Sequence, residues 1–305
     1  MSAPHRGSVV VAVDGKPGCA GALRYAVDQA TRGDHSLHLV HVWPGKVPQD
    51  LVPVVAWAAL QAEACAVLDR SAARACDIAP GLEISTELAV GPPVAGVLAA
   101  GRGGRLMVVG RSPHHRVEAP GGGTPTALAT RAEYPVVIVP STWRTPGPAP
   151  GRVVVAMKSR THARELLSHA FAMARDGDAT VEVVTAWELY DPTMDREEAR
   201  EHAAEWEAEG IRVLEELVSE WRETFPTVPV DLRVIHGRAA SVLEQASADA
   251  DLLLIARRQH FVPPYGRLGG TAHRVLRTSR CPVQVVPAGV IAEVPALAAA
   301  GSRAT

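Results

Sequence analysis

Residues 8–43 read SVVVAVDGKPGCAGALRYAVDQATRGDHSLHLVHVW, and residues 152–187 read RVVVAMKSRTHARELLSHAFAMARDGDATVEVVTAW. The two stretches align without a gap. Val9-Val10-Val11-Ala12 fall on Val153-Val154-Val155-Ala156, Gly33-Asp34 on Gly177-Asp178, and Trp43 on Trp187. The match resumes with Gly91 on Gly237 and LMVVG (106–110) on LLLIA (252–256), then closes with GGTPTALATRAEYPVVIVP (122–140) over GGTAHRVLRTSRCPVQVVP (269–287). Self-similarity of this length means two copies of one domain. A chain of 305 residues suits that count, at about 150 residues per domain. The expected boundaries are 1–142 and 152–290, with 143–151 as linker and 291–305 as a flexible tail. The join WRTPGPAPGR (143–152) is rich in Pro and Gly and reads as a short, fairly stiff connector.

Within each copy, short runs rich in Val, Ile and Leu alternate with Ala- and charge-rich stretches of helical spacing. In the first copy these runs are 9–13, 37–42, 84–90, 106–110 and 136–139. Uniformly apolar strands between helices predict a parallel sheet covered on both faces. Each copy is therefore expected to be an α/β, doubly wound domain with a five-stranded parallel sheet and helices on both sides. A helix over about 194–223 sets Trp206, Val213, Leu214, Leu217 and Trp221 on one side, read as core anchors in preference to a binding box.

Lys and Arg number 31 against 33 Asp and Glu, a net charge of −2, which gives no ground for a nucleic-acid partner. Cys19, Cys65, Cys76 and Cys281 form no CxxC pair, as expected of reduced thiols, with neither disulfide nor zinc. No stretch of 18 or more apolar residues suggests a membrane span and no apolar leader precedes the first strand, so the expectation is a cytoplasmic protein.

Chemistry is concentrated in VVGRSPHHRVEAPGGGTPTALA (108–129). A strand is expected before it and a helix after it, opening at Thr124 with Pro125 in the first turn. A glycine-rich strand-to-helix turn aims backbone N–H groups and the positive helix end at one point, which suits an anion. An ordinary glycine-rich surface turn is the other reading of the same residues. Ligands of a doubly wound sheet sit beyond the carboxyl ends of the strands where strand order reverses. If the first and fourth strands are neighbours, Asp14, which ends the first, shares a crevice with the 110–124 loop.

The chain resembles the universal stress protein family in tandem form. The resemblance is carried by VVVAVDG with its terminal Asp, HVW closing the second strand, a G-x2-G-x9-G-[ST] loop and the closing YPVVIVP. It implies strand order 3-2-1-4-5 and, in the nucleotide-binding branch, an ATP whose phosphates are wrapped by the loop. The Asp then contacts the ribose or adenine side, and the backbone of the second-strand Val meets the adenine. Carried over, Asp14, Val42, Gly110, Gly123 and Thr124 form the site. Pro113 stands where the motif has Gly and removes an N–H donor from the loop. Arg111, His114, His115 and Arg116 either offset that loss with positive charge or form a solvated loop.

The second copy departs further. Lys158 replaces the Asp, Ala256 the first Gly and Gln259 the second, before Gly270-Thr271. A lysine cannot accept the hydrogen bonds a carboxylate takes from ribose hydroxyls. This degenerate second site is expected to bind ATP poorly or not at all; Lys158, Arg257 and Arg258 read as surface charge or as a seat for another anion.

No metal site is expected, because His35, His38 and His41 lie three apart and alternate faces of a strand. No G-x-S-x-G elbow marks a hydrolase. The leading expectation is a cytoplasmic stress-response regulatory protein that binds ATP, with or without Mg2+, in its N-terminal domain and hydrolyses it slowly if at all. The alternatives are an interaction module acting through its pseudo-dimeric surface, or a sensor of another small ligand; an adenylyl-transferring enzyme ranks last. The final strands 136–139 and 283–286 are expected to face each other as an internal pseudo-dimer, leaving other surfaces for a homodimer or an unknown protein partner.

Overall fold

The computed structural model describes residues 7–43, 54–111, 123–145, 147, 151–259 and 268–292. The chain divides into two units, Met1–Thr145 and Pro146–Thr305. In the N-terminal unit the elements run β1 (Val9–Ala12), α1 (Ala20–Arg32), β2 (Leu37–Trp43), α2 (Val54–Ile78), β3 (Ile84–Val90), α3 (Pro93–Ala100), β4 (Leu106–Arg111), α4 (Thr124–Arg131) and β5 (Val136–Pro140). The strands pair in the order β3-β2-β1-β4-β5, all parallel. Right-handed crossovers then put α1 and α2 together on one face and α3 and α4 on the other, and those pairs are in contact. Val9, Val10 and Val11 are essentially fully buried, as a strand covered on both faces requires.

The C-terminal unit repeats the plan with β6 (Gly151–Ala156), α5 (Ala163–Gly177), β7 (Ala179–Trp187), α6 (Pro192–Thr224), β8 (Val230–His236), α7 (Ala239–Ala246), β9 (Leu252–Ala256), α8 (Gly270–Thr278) and β10 (Val283–Val286). Its strands pair in the equivalent order, β8-β7-β6-β9-β10, again parallel. The repeated Gly-Asp pair closes the first helix of each copy, with Asp34 and Asp178 both left-handed at φ 52° and 49°. Aspartate tolerates that conformation where a branched residue would not.

On α6, Leu214, Val218 and Trp221 are buried, and Trp221 stacks on Phe171 at 5.6 Å between centroids. Trp206 meets Trp187 edge-on at 4.9 Å. Trp143, the first residue of the stretch read as a linker, is buried in the N-terminal unit. It packs edge-on against Tyr25 at 5.3 Å, and its carbonyl accepts a bond from Arg24 at 3.3 Å. In the C-terminal unit the residues after β10 likewise cross the first helix, where Ala292 N–H donates to Ser168 Oγ at 3.0 Å. The tail from residue 293 lies outside the described residues.

One buried polar position changes chemistry between the copies. In β2, His38 bonds Ser85 at 2.8 Å and Glu87 at 3.2 Å across to β3. Its counterpart in β7 is Glu182, held by Arg152 at 2.8 Å and Arg233 at 3.0 Å. Each copy thus satisfies the same buried site with the acid on a different strand, as burial of a polar group demands.

Candidate functional site

β1 and β4 are parallel neighbours with Ala12 opposite Val109, so strand order reverses between them, and a doubly wound sheet receives ligands in the crevice beyond the carboxyl ends at such a point. Asp14 lies two residues past β1, exposed, with Oδ1 accepting the Lys16 N–H at 3.0 Å. That bond folds the chain at Gly15, whose φ of +71° favours glycine, into the turn that starts α1. Gly110 sits in the last rungs of β4, opposite Val139 of β5. A Cβ there would stand 2.8 Å from the Gly18 carbonyl oxygen and 3.2 Å from Cys19 Cα. Glycine at 110 therefore lets the β1–α1 turn close against the end of β4. Cys19 lies at this contact, and burial pushes its thiol up from the ordinary value, with the Asp14 carboxylate adding to the rise against an opposing backbone hydrogen bond.

The other residues expected at the site border the same end of the sheet. Arg111 is half-buried, and its carbonyl accepts the Ser141 N–H at 3.1 Å. Gly123 precedes α4 in extended conformation and is exposed; Thr124 opens the helix with Pro125 in its first turn. The positive end of the α4 dipole lies at that point. Pro113, His114, His115 and Arg116 lie outside the described residues.

Val42 lies near the carboxyl end of β2. Its side chain packs against α3, where a Cβ on Gly96 would come within 2.8 Å of Val42 Cγ1. In β2 the residues bonded to β3 are the odd-numbered ones, as Leu37 N–H to Glu83 and Gly91 N–H to the Trp43 carbonyl show. The even-numbered ones turn their N–H and C=O toward β1. The β1–β2 register ends at Ala12 opposite Val40, with one further bond from Val13 N–H to the Val40 carbonyl at 2.8 Å. Val42's N–H and C=O consequently point past the end of β1, on the crevice side.

His41 and His38 do not converge. The Nδ1 of His41 bonds the Val13 carbonyl at 2.7 Å, while His38 is held by β3. Among the described residues no group of three or more His, Cys, Asp or Glu could hold a metal ion.

In the C-terminal unit Lys158 is exposed at the place of Asp14. Ala256 carries a Cβ where Gly110 has none. Gln259 is exposed. Gly270 and Thr271 open α8, and the Arg258 guanidinium lies against the preceding Gly269, where a Cβ would be 2.6 Å from Nη2. A cation thus lies at the positive end of α8. Sequence reasoning missed the roles of Gly18, Cys19, His41 and Arg258. The signal available for His41 was the self-alignment, which sets it over Thr185, another hydrogen-bond donor.

The family model of the universal stress proteins matches the chain twice, over residues 5–140 and 150–287. The chain belongs to the universal stress protein family. Two universal stress proteins of Mycobacterium tuberculosis match across nearly its whole length: Rv2028c is 27% identical over 92% of this chain and 95% of that protein, and Rv2005c is 27% identical over 93% and 99%. A crystal structure of a universal stress protein from Archaeoglobus fulgidus superposes with a TM-score of 0.66 at 16% identity, covering 92% of this chain and 96% of that one. A putative universal stress protein from Pseudomonas aeruginosa does so with a TM-score of 0.57 at 18% identity, over 94% and 95%. These two share the tandem fold. No helix among the described residues of this family member is long and apolar enough to cross a membrane.

Proposed function

We propose that this universal stress protein is a cytoplasmic regulatory protein that binds ATP, with or without Mg2+, in its N-terminal unit. The supporting observation is the placement about the carboxyl ends of β1, β2 and β4 of an exposed carboxylate (Asp14), an open strand edge (Val42), a tightly closed turn at Gly110 and, after β4, the N-terminal end of α4 at Gly123-Thr124. A carboxylate accepts bonds from ribose hydroxyls, a strand edge offers a donor and an acceptor to a base, and a helix N-terminus favours phosphate. Arg111 adds positive charge beside the phosphates. None of these groups is a base poised to activate water, so occupancy rather than turnover carries the signal.

The C-terminal unit is read as empty of ATP. Lys158 cannot accept from ribose, Ala256 brings a Cβ where the first copy has Gly110, and Arg258 stands where phosphate would approach α8. Its role is to present a surface to a protein partner or to a second copy of the chain. Titration of the full chain with ATP in the presence of Mg2+ tests the reading. Saturable binding below millimolar concentration is expected, which is tighter than about −4 kcal/mol, with Asp14→Ala weakening it at least tenfold. No binding up to millimolar ATP would favour the empty module.

A further inference from the structure

In both units the ladder between the first and second strands stops at the same rung, and in both a side chain closes the same carbonyl. Val13 N–H reaches the Val40 carbonyl at 2.8 Å, and the Val13 carbonyl accepts from His41 Nδ1 at 2.7 Å. Met157 N–H reaches the Val184 carbonyl at 2.9 Å, and the Met157 carbonyl accepts from Thr185 Oγ1 at 2.9 Å. His41 and Thr185 occupy equivalent places in the repeat. An imidazole and a hydroxyl have little in common beyond the capacity to donate one hydrogen bond, so the repeat retains the bond and not the residue.

The consequence lies one residue further along the second strand. In a parallel ladder a residue that donates to position j−1 accepts from position j+1. Val13, which donates to Val40, would thus accept from Val42. That rung is not made, and the His41 ring holds the carbonyl in its place. The geometry points to His41 as a positioning residue of the nucleotide site: it keeps the Val42 N–H and C=O open as a donor–acceptor pair and fixes the peptide that carries Asp14. Such a pair matches the edge of adenine, where an amino donor adjoins a ring-nitrogen acceptor. It opposes guanine, whose corresponding edge has a carbonyl acceptor beside an N–H donor. Thr185 holds the edge at Ala186 open in the same way, without a carboxylate behind it. The selectivity rests on the ATP reading given above; the open edge does not.

The test uses the full chain labelled with 15N, as wild type, His41→Val, His41→Asn and His41→Thr. Asn and Thr retain a donor near the position of Nδ1, whereas Val has none. Without nucleotide, the Val42 amide is expected to exchange with solvent at least tenfold more slowly in His41→Val than in wild type, because Val42 N–H then pairs with the Val13 carbonyl. With nucleotide, wild type, His41→Asn and His41→Thr should prefer ATP over GTP, and His41→Val should lose about tenfold of that preference. Thr185→Val supplies a second readout, slowing exchange at Ala186 in the other unit, should His41→Val fail to fold. An equal Val42 exchange rate in wild type and His41→Val, or unaltered ATP preference in His41→Val, overturns the assignment. A wild-type protein that binds no ATP while Val42 still responds to His41→Val refutes the nucleotide reading and leaves His41 as the residue that holds the edge open.

Discussion

Gly110→Ala tests whether the β1–α1 turn is seated on β4. The new methyl would lie 2.8 Å from the Gly18 carbonyl oxygen and 3.2 Å from Cys19 Cα, both of them backbone. Reaching an ordinary contact of about 3.4 Å requires the turn to retreat by roughly 0.6 Å, the difference between 3.4 and 2.8. Overpacking of this kind costs about 1–3 kcal/mol. Asp14 is carried on the same turn, and a displacement beyond about 0.5 Å exceeds what a binding constellation tolerates. ATP affinity should therefore fall about tenfold, or about 1.4 kcal/mol. Because two units unfold in one chain, local amide exchange is the proper assay. Protection at Val9–Ala12 and Met107–Val109 should drop by the stated free energy, while the β6 and β9 amides stay unchanged. Gly147→Ala, with open space around the new methyl, is the control and should move nothing beyond about 0.5 kcal/mol. Unaltered protection together with unaltered ATP affinity would show that the turn is not packed on β4.

Two further outcomes follow from ionisation. Burial pushes the Tyr134 hydroxyl, which donates to the Leu98 carbonyl at 3.0 Å, up to about 12. The neutral phenol is favoured in the fold, so its contribution is fully present below about pH 10 and is lost as pH rises from there toward 12; ultraviolet titration of wild type against Tyr134→Phe should assign this tyrosine a raised midpoint, and an ordinary midpoint would refute its desolvation. The Cys19 thiol, raised mainly by burial and also by Asp14, should react slowly with an alkylating reagent at neutral pH, and Asp14→Asn should speed that reaction; an unchanged rate would separate Cys19 from Asp14.

The internal repeat made the two domains legible, because a gapless match over a strand, a helix and a strand cannot arise from local propensity alone. Strand and helix order followed from apolar runs alternating with amphipathic stretches, and α6, expected over 194–223, spans Pro192–Thr224. Within the proposed site, Asp14, Gly110 and Thr124 stand out as residue types at the right spacing. Why position 110 must be glycine does not, since that depends on the Gly18 carbonyl approaching from a turn 92 residues earlier in the chain. His41 was readable only as one of three histidines on a strand. Its bond to Val13 depends on the β1–β2 register, and register is fixed by tertiary pairing. The exchange of acid between His38–Glu87 and Glu182–Arg233 was hidden for the same reason: each pair spans two strands far apart in sequence.

The most direct test of the account is amide chemical-shift mapping of the full chain during titration with ATP in the presence of Mg2+. The account predicts saturable shifts at Asp14, Val42, Gly110, Gly123 and Thr124, fitting one nucleotide per chain, with Lys158, Ala186, Ala256, Gly270 and Thr271 unmoved. Shifts confined to the C-terminal group, equal shifts in both groups, or none at millimolar ATP would contradict it.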